Sequence, residues 1–228
     1  MECLEGSPII SQLGEKLDSD LNEKKIFWQK GSITREIREH RNTHKGVILW
    51  FTGLPSAGKS TLAHYVEEQL YALGCRTMVL DGDNVRHGLC SDLGFSNKDR
   101  TENIRRIGEM SKLFIEAGVI TLTAFISPIQ ADRERVRNLV AKEDFIEIYC
   151  RCSLEICEQR DVKGLYRLAR EGKIEHFTGI SSPYEPPLNP ELLIDTEQTS
   201  IEDSGRTILE FLSARKIIQF PDPKLSEG

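Results

Sequence analysis

The sequence predicts an α/β protein in which helices cover both faces of a mostly parallel central sheet. Short apolar, β-branched runs alternate with segments of helical spacing, one strand–helix pair encloses a glycine-rich loop, and 228 residues suit one domain with a full core. Strands that alternate with helices form parallel sheets buried on both faces. Ligands of such sheets bind beyond the carboxyl ends of the strands. This rule singles out residues 53–60, 81–86, 127–128 and 160–163.

The predicted elements follow in order along the chain. The first strand spans 46–51, and a helix over 60–73 follows it, with leucines and a valine at helical spacing. The second strand spans 77–80, and the next helix carries an apolar stripe over 104–114 and closes near Gly118. The remaining elements are a strand over 119–125, a charged surface helix over 131–141, strands over 145–149 and 192–194, and a helix over about 200–216.

Residues 53–60 read Gly-Leu-Pro-Ser-Ala-Gly-Lys-Ser, a complete G-x-x-x-x-G-K-S loop between a predicted strand and a predicted helix. In that setting backbone N–H groups and the helix N-terminus bind a chain of phosphates. We expect Lys59 to reach the β- and γ-phosphates of ATP and the Ser60 hydroxyl to bind Mg²⁺. A chance glycine–lysine turn is the alternative. The candidate ATP-binding residues are Gly53, Leu54, Pro55, Ser56, Ala57, Gly58, Lys59, Ser60 and Thr61.

The composition argues against several classes of protein. The formal net charge is −6, whereas proteins that track nucleic-acid backbones are usually basic. The six cysteines form no zinc-type pair of C-x-x-C motifs, and the Cys150–Cys152 spacing is too short for the usual ligand pair. The sequence shows neither a signal peptide nor an apolar run near twenty residues. We therefore expect a reduced, cytoplasmic protein that binds neither nucleic acid nor a membrane.

Residues 81–88 read Asp-Gly-Asp-Asn-Val-Arg-His-Gly and follow the second predicted strand. Carboxylates opposite a phosphate loop can bind Mg²⁺, orient an acceptor hydroxyl, or do both. The alternative is a turn that uses Asp, Gly and Asn for their backbone preferences. Two acids, an amide and an arginine in one turn beside a phosphate loop favour a functional role.

The segment 96–106 combines helix-capping residues with arginines. Ser96 or Asp99 can cap the helix that follows, and the arginines could serve as i,i+4 pairs on a solvated face. However, Arg100 and Asn103 lie about one turn apart at the start of this helix, where an anionic ligand is favoured. We therefore include both among the candidate ligand-binding residues.

These segments make the chain resemble the adenylylsulfate kinase family, whose members phosphorylate the 3′-hydroxyl of adenosine 5′-phosphosulfate (APS) with MgATP, giving PAPS. The matching segments occur in one consistent order over about residues 27–212, and together they are specific to this family. The resemblance implies a P-loop NTPase three-layer fold with a mostly parallel central sheet and a mobile lid. The segments are 81–89, 92–96, 102–109, 125–128, 157–166, 177–180, 183–185 and 189–192.

The resemblance also implies a role for each matching residue. An Asp of the Asp-Gly-Asp turn would be oriented on the 3′-hydroxyl, and Phe95 and Phe177 would sandwich the APS adenine, although core packing would otherwise be the preferred interpretation of both rings. The implied catalytic residues are Lys59, Asp81, Asp83, Ser127 and, on the lid, Lys163, and the implied metal ligands are Ser60 and Asp81. The implied APS-binding residues are Asp83, Asn84, Arg86, Phe95, Arg100, Asn103, Ile126, Ser127, Lys163 and Phe177.

Ser127 occupies the position assigned as a phosphoserine intermediate in bacterial members of the family. The sequence assigns no histidine base to it, and direct in-line transfer needs only positioning and charge neutralisation. We therefore interpret Ser127 as a substrate-binding residue and any phosphoserine there as a side state or a regulatory state.

The predicted boundaries give a polar N-terminal tail with an Arg-rich lead-in (1–45), a P-loop kinase domain (46–216) and a flexible C-terminal tail (217–228). We interpret the Arg- and His-rich segment 33–44 as a solvated helix face rather than a nucleotide contact. The resemblance implies a homodimer, and the length implies that a separate ATP sulfurylase supplies APS. Two alternatives stay open: another P-loop small-molecule kinase, or an inactive nucleotide-binding regulatory relative.

Overall fold

The computed structural model describes residue 29 and residues 31–220. The chain divides into two compact units. The first, Met1–Ser32, lies almost wholly outside the described residues, and the second, Ile33–Gly228, contains every element described below. The mobile tail predicted for about residues 1–26 and the disorder predicted after Phe220 fall outside the described residues.

Helices and strands alternate along this unit as the sequence predicts. In chain order the elements are α1 (Arg35–Asn42), β1 (Ile48–Thr52), α2 (Lys59–Ala72), β2 (Thr77–Asp81), α3 (Gly82–Val85), α4 (Asn97–Glu116), β3 (Ile120–Ala124), α5 (Gln130–Arg137), a 3₁₀ turn (Lys142–Asp144), β4 (Phe145–Arg151), α6 (Leu154–Gln159), α7 (Leu165–Arg170), β5 (Leu192–Asp195) and α8 (Ile201–Ala214). None of the helices within residues 31–220 is long and apolar enough to cross a bilayer.

Within the described chain, five parallel strands form one sheet in the order β2-β3-β1-β4-β5. Strand β1 is central and wholly buried, with Leu49 aligned with Leu122 of β3 on one side and with Ile146 of β4 on the other. The loop after β1 therefore leaves the sheet between two neighbouring strands, where parallel α/β sheets bind their ligands.

Alternate residues of β1 point to opposite layers of helices. Leu49 and Phe51 belong to an apolar cluster that includes buried residues of α2 and α8. Ile48 and Trp50 belong to a second cluster, which includes buried residues of α4 and α5. The observed architecture confirms the predicted three-layer α/β fold and its parallel sheet.

Helix α5 ends at Arg137, four residues before the predicted end at residue 141. The apolar spacing continues through Leu139 and Val140, and this pattern led to the longer prediction. In the structure the chain turns at Asn138, and both apolar side chains pack from the turn, Leu139 close to Gly108 of α4 and Val140 against the second cluster. Apolar side chains that pack from a turn give the same sequence pattern as apolar side chains that pack from a helix.

Helix α1 contributes no buried residue and lines no part of the cleft described below, so its surface is largely solvated. Specific polar contacts nevertheless join it to the sheet layers. The Arg35 guanidinium donates to both carboxylate oxygens of Asp144, each at 2.6 Å, and Asn42 Nδ2 donates to the Gly118 carbonyl at 2.9 Å. The Asp144 carboxylate raises the pKa of Arg35 above its usual range.

The packed chain also continues past residue 216, where the sequence predicted a flexible tail to begin. Ile217 and Ile218 are buried and belong to the larger apolar cluster. The Ile217 carbonyl also accepts a hydrogen bond from Lys45 N at 2.9 Å. The first residues after α8 are therefore part of the core.

Candidate active site

A deep cleft of about 1130 Å³ opens at the carboxyl ends of β1, β2 and β3. Its walls are the loop after β1, the segment from the end of β2 to α4, and a segment that we call the lid (residues 160–178). Pockets for one small ligand usually measure roughly 300–1,000 Å³. The volume of this cleft lies just above that range.

The loop after β1 has the geometry of a phosphate-binding loop. Gly53 has a φ of +154°, and a Cβ at that position would lie 2.5 Å from the Cys150 carbonyl oxygen. Gly58 ends the loop in the left-handed region (φ +82°), and no side chain caps the helix α2 that begins there. The first N–H groups of α2 are therefore available to an anion.

Lys59, the first residue of α2, is a buried cation, and no carboxylate of the described chain is in hydrogen-bonding contact with it. Its side chain is 7% exposed, and its Nζ donates to the carbonyl oxygens of Leu54 at 2.6 Å and Gly53 at 3.1 Å. Burial lowers the pKa of Lys59 to about 8. The ammonium group is thus held, at a desolvation cost, beside the loop where phosphates would bind.

Ser60 and Asp81 bring a hydroxyl and a carboxylate together at one corner of the cleft. Ser60 Oγ donates to Asp81 Oδ2 at 2.6 Å, and Asp81 Oδ1 accepts from Asp83 N at 2.9 Å. No cluster of three His, Cys, Asp or Glu side chains able to hold a metal occurs among the described residues. Mg²⁺ in kinase sites is usually bound through one or two carboxylates, with phosphates and waters as the other ligands. The oxygen pair therefore fits a metal ion that arrives with a nucleotide.

Asp83 connects the turn after β2 to the lid. Its carboxylate forms an ion pair with Lys163 Nζ, and both side chains are largely exposed. The hydrogen bond to Asp83 raises the pKa of Lys163. The contact holds one lid residue directly beside the acidic turn.

Two arginines supply positive charge to the opposite part of the cleft, and within the described residues neither has a carboxylate partner. Arg86 donates to two backbone carbonyls of residues 93–94, and its guanidinium lies 4.4 Å from the centre of the Phe95 ring. Arg100 donates to Phe95 O at 2.9 Å and to Thr178 Oγ1, in the lid, at 2.6 Å. Burial and the charge of Arg86 lower the pKa of Arg100. An anionic ligand would relieve this repulsion.

Asn103 lies one helical turn beyond Arg100 and presents an unpaired donor. Its side chain is 3% exposed and lines the cleft, and Nδ2 has no hydrogen-bond partner among the described residues. A buried donor without a partner costs about 1–3 kcal/mol. A ligand acceptor in the cleft would recover that cost, and this supports a binding role for Asn103.

Ser127 lies just beyond β3 and is held in an unusual conformation. It is 2% exposed, and its φ of +39° lies in the left-handed region, which few residues other than glycine adopt. Trp50 Nε1 donates to Ser127 Oγ at 3.1 Å, and Arg133 Nη1 donates to the Ser127 carbonyl at 2.7 Å. Neither histidine nor carboxylate is among its hydrogen-bond partners in the described chain.

Most of the predicted site residues line this one cleft. Phe177 is 8% exposed and packs edge-on against Tyr166 at 4.9 Å between ring centres, whereas Phe95 is 63% exposed and has Arg86 over its ring. The predicted residues that line the cleft are Pro55, Ser56, Gly58, Lys59, Ser60, Thr61, Asp81, Asp83, Arg86, Phe95, Arg100, Asn103, Ile126, Ser127, Lys163 and Phe177.

Four predicted residues do not line the cleft. Gly53 and Ala57 are buried within the phosphate loop, Asn84 is exposed on α3, and Leu54 borders a separate, shallower groove. The carbonyls of Gly53 and Leu54 still bind Lys59, so these two residues shape the loop through their backbones.

Thr196, which follows β5, was not among the predicted site residues. Its Oγ1 donates to the Ala57 carbonyl at 3.0 Å, and its own carbonyl accepts from Arg160 Nη2 at 2.8 Å, so it joins the phosphate loop to the lid. Thr196 lines the cleft, as does Ser204 of α8. The rule that ligands lie beyond strand ends could have found Thr196, because β5 was predicted.

The fold and this cleft define a P-loop small-molecule kinase. A phosphate loop, with the hydroxyl–carboxylate pair of Ser60 and Asp81, faces the half of the cleft that carries two arginines. The family profile described as adenylylsulphate kinase matches residues 45–195. The chain belongs to the adenylylsulphate kinase family, which confirms the resemblance stated from its motifs.

Individual relatives agree with this assignment. The chain is 60% identical over 199 residues to the adenylyl-sulfate kinase of Acaryochloris marina, which covers 87% of this chain and 97% of the relative. A structure of the Mycobacterium tuberculosis APS kinase in complex with AMPPNP and APS is similar with a TM-score of 0.72 and 44% identity, over 75% of this chain and 99% of that chain. A hexameric APS kinase from Thiobacillus denitrificans is similar with a TM-score of 0.60 and 31% identity, over 80% of this chain and 32% of that chain.

Proposed function

We propose that this protein transfers the γ-phosphoryl group of ATP to the 3′-hydroxyl of APS, giving PAPS and ADP. The observation that carries the proposal is one cleft in which a phosphate loop faces Arg86 and Arg100, two arginines without carboxylate partners in the described chain. ATP accounts for the loop, and an acceptor that carries its own phosphosulfate group accounts for the arginines. Membership of the adenylylsulphate kinase family supports the identity of that acceptor.

In the ATP half, the loop N–H groups and the N-terminus of α2 bind the phosphates. Lys59 exchanges its carbonyl partners for the β- and γ-phosphates and neutralises the charge that develops during transfer. Ser60 and Asp81 are the proposed Mg²⁺ ligands. Mg²⁺ held by these two residues would neutralise part of the charge of the phosphates.

In the acceptor half, Arg86 and Arg100 bind the phosphosulfate through charge-assisted hydrogen bonds. Asn103 donates its unpaired Nδ2 hydrogens to the same ligand. Phe177 and the face of Phe95 away from Arg86 enclose the adenine. Asn84 and Ile126 complete the proposed APS-binding set.

Asp83 orients the 3′-hydroxyl and accepts its proton. It is paired with Lys163, so we propose that Lys163 passes from Asp83 to the transferring phosphoryl group when the lid closes over both nucleotides. Ser127 donates its hydroxyl hydrogen to substrate. The transition state of phosphoryl transfer is loose, so positioning and charge neutralisation suffice and no phosphoserine is required.

Three further proposals concern the setting of the enzyme. The cytoplasm is the proposed compartment, because it supplies ATP and suits the five free cysteines of the described chain. A homodimer is the proposed assembly, to be tested by light scattering against the hexamer recorded for the T. denitrificans relative. A separate ATP sulfurylase is the proposed source of APS.

The test is a coupled assay of ADP release with MgATP in which APS, AMP, gluconate and no acceptor are compared. The expected result is release that depends on APS, with a product phosphorylated at the 3′ position. Release with another acceptor would keep the kinase class and discard APS as the substrate. ATP binding without turnover on any acceptor would instead identify a regulatory relative.

A further inference from the structure

A buried charged cluster lies directly behind Ser127, outside the residues assigned to substrate. At its centre is Arg133 of α5, which is 2% exposed and uses three donors in three directions. Nε donates to Glu147 Oε1 at 2.8 Å, Nη1 to Ser127 O at 2.7 Å, and Nη2 to Glu185 O at 2.8 Å. One side chain thus holds the strand β4, the loop after β3 and the segment that follows the lid.

The rest of the cluster balances the charge of Arg133. Glu147 Oε2 also accepts from Arg137 Nη2 at 3.1 Å, and Arg137 forms a two-pronged pair with Glu191 at 2.7 and 3.0 Å. The buried Arg133 and the half-buried Arg137 therefore face two carboxylates, and such pairing is what a buried charge requires. Arg137 shares helix α5 and the Glu147 carboxylate with Arg133, and its donors reach Glu147 and Glu191 rather than Ser127.

Trp50 holds the side chain of Ser127, whereas Arg133 holds its carbonyl. Its indole is fully buried and stacked between Phe125 and Phe145, with ring centres 6.2 and 5.8 Å away. Because Trp50 Nε1 donates to Ser127 Oγ, the hydroxyl accepts on that side and its own hydrogen is free to donate elsewhere. The cleft is the space that Ser127 lines.

We propose that Arg133 and Trp50 are positioning residues that together hold Ser127 in its left-handed backbone conformation, with its hydroxyl hydrogen directed into the cleft. This inference rests on the proposed function of Ser127 in binding substrate. Neither Arg133 nor Trp50 is among the residues that line the cleft. The guanidinium is needed at position 133 because a lysine ammonium cannot hold three acceptors in a planar fork.

The kinetic test is a double-mutant cycle between Arg133→Lys and Ser127→Ala, with Arg137→Lys as the matched control. Arg133→Lys is expected to lower kcat/KM for APS by about tenfold, the size of one lost hydrogen bond, and to leave KM for ATP unchanged. In the Ser127→Ala background it is expected to have no further effect. Arg137→Lys is expected to change neither parameter. An equal loss in the Ser127→Ala background, or an equal loss from Arg137→Lys, would overturn the proposal.

A second test does not depend on activity. The chain has two tryptophans, so Trp28→Phe leaves Trp50 as the only source of an indole N–H resonance. Arg133→Lys is expected to shift this resonance in the same direction as Ser127→Ala does, whereas Arg137→Lys leaves it in place. If Arg133→Lys leaves the resonance in place, the positioning role of Arg133 is refuted, whatever the activity of the wild type. If the wild type shows no turnover with APS, that result counts against the proposed function alone.

If Arg133→Lys does not fold, Trp50→Phe tests the other side of the same arrangement. It keeps an aromatic ring between Phe125 and Phe145 and removes the Nε1 donor. It is expected to lower kcat/KM for APS, again without further loss in the Ser127→Ala background. Independent losses from Trp50→Phe and Ser127→Ala would overturn the proposal.

Discussion

Lys59→Met is expected to raise the free energy of unfolding of the ligand-free protein and to abolish phosphoryl transfer. Burial lowers the pKa of Lys59 from 10.5 to about 8, which corresponds to about 3 kcal/mol spent on keeping the buried amine charged at neutral pH. Methionine has a similar length and carries no charge. The substitution also removes the two hydrogen bonds from Lys59 to the loop carbonyls, at a cost of roughly 1 kcal/mol each. The expected net increase in the free energy of unfolding is therefore about 1 kcal/mol.

The difference in the free energy of unfolding between the wild type and Lys59→Met depends on pH. The pKa of Lys59 is lower in the folded protein than in the unfolded chain, so between about pH 8 and pH 10.5 the unfolded chain holds a proton that the folded protein has lost. The free energy of unfolding of the wild type therefore rises with pH across this window relative to that of Lys59→Met. The advantage of the variant is fully present below pH 8 and shrinks above it.

The assay is urea unfolding followed by circular dichroism without nucleotide, at neutral pH and at about pH 9.5, within the window set by the two pKa values. Lys142→Met, at an exposed position, is the control and is expected to change stability little. ADP release measures the loss of turnover, expected to be at least ~100-fold for a missing charge at the transferring group. A variant less stable than the wild type at neutral pH, or an advantage that persists at the higher pH, would refute the reasoning.

Other substitutions test the two halves of the cleft separately. Arg86→Ala and Arg100→Ala are each expected to weaken APS binding by about 1.5–3 kcal/mol for a lost charged contact, with ATP binding unchanged by calorimetry. Equal weakening of both nucleotides contradicts their assignment to APS. Ser127→Ala is expected to lower kcat/KM for APS by about tenfold; a loss of several orders of magnitude would favour an obligatory phosphoserine. Asp81→Asn is expected to raise the Mg²⁺ concentration needed for half-maximal turnover, and an unchanged requirement would exclude Asp81 as a ligand.

The elements that the sequence predicted well are those whose signal is local and repeated. Strand β1 and helix α2 flank a loop with a complete motif, and α4 shows an apolar stripe over several turns. Helices α6 and α7 span six residues each, too few for periodicity to distinguish a helix from a turn, and they were not predicted. The short helix α3 was interpreted as a turn for the same reason, since its capping by Asp81 uses the residue types that also favour turns.

Sequence motifs predicted which residues form the site. They did not predict the contacts between segments that lie far apart in the chain. Arg86 was predicted as a ligand contact, and its position over Phe95 depends on how the loop between α3 and α4 folds back. The hydrogen bond from Trp50 to Ser127 joins residues 77 positions apart. Arg133 looked like one of several charges on a surface helix, although it is almost completely buried. The burial of Arg133 could not be predicted, because a charged residue is expected to be exposed unless its ion-pair partners are known.

The α/β class, the phosphate loop and the family could be predicted from the sequence, because each is indicated by residue types at fixed local spacing. Which charged side chains form ion pairs depends on the tertiary structure and could not be predicted. Arg100 and Arg133 both lie near a helix start, yet Arg100 faces an open cleft and has no carboxylate partner among the described residues, whereas Arg133 is buried and paired with Glu147. That difference arises from packing between strands and helices far apart in the chain, where burial and the nearest opposite charge set the energy of an ion.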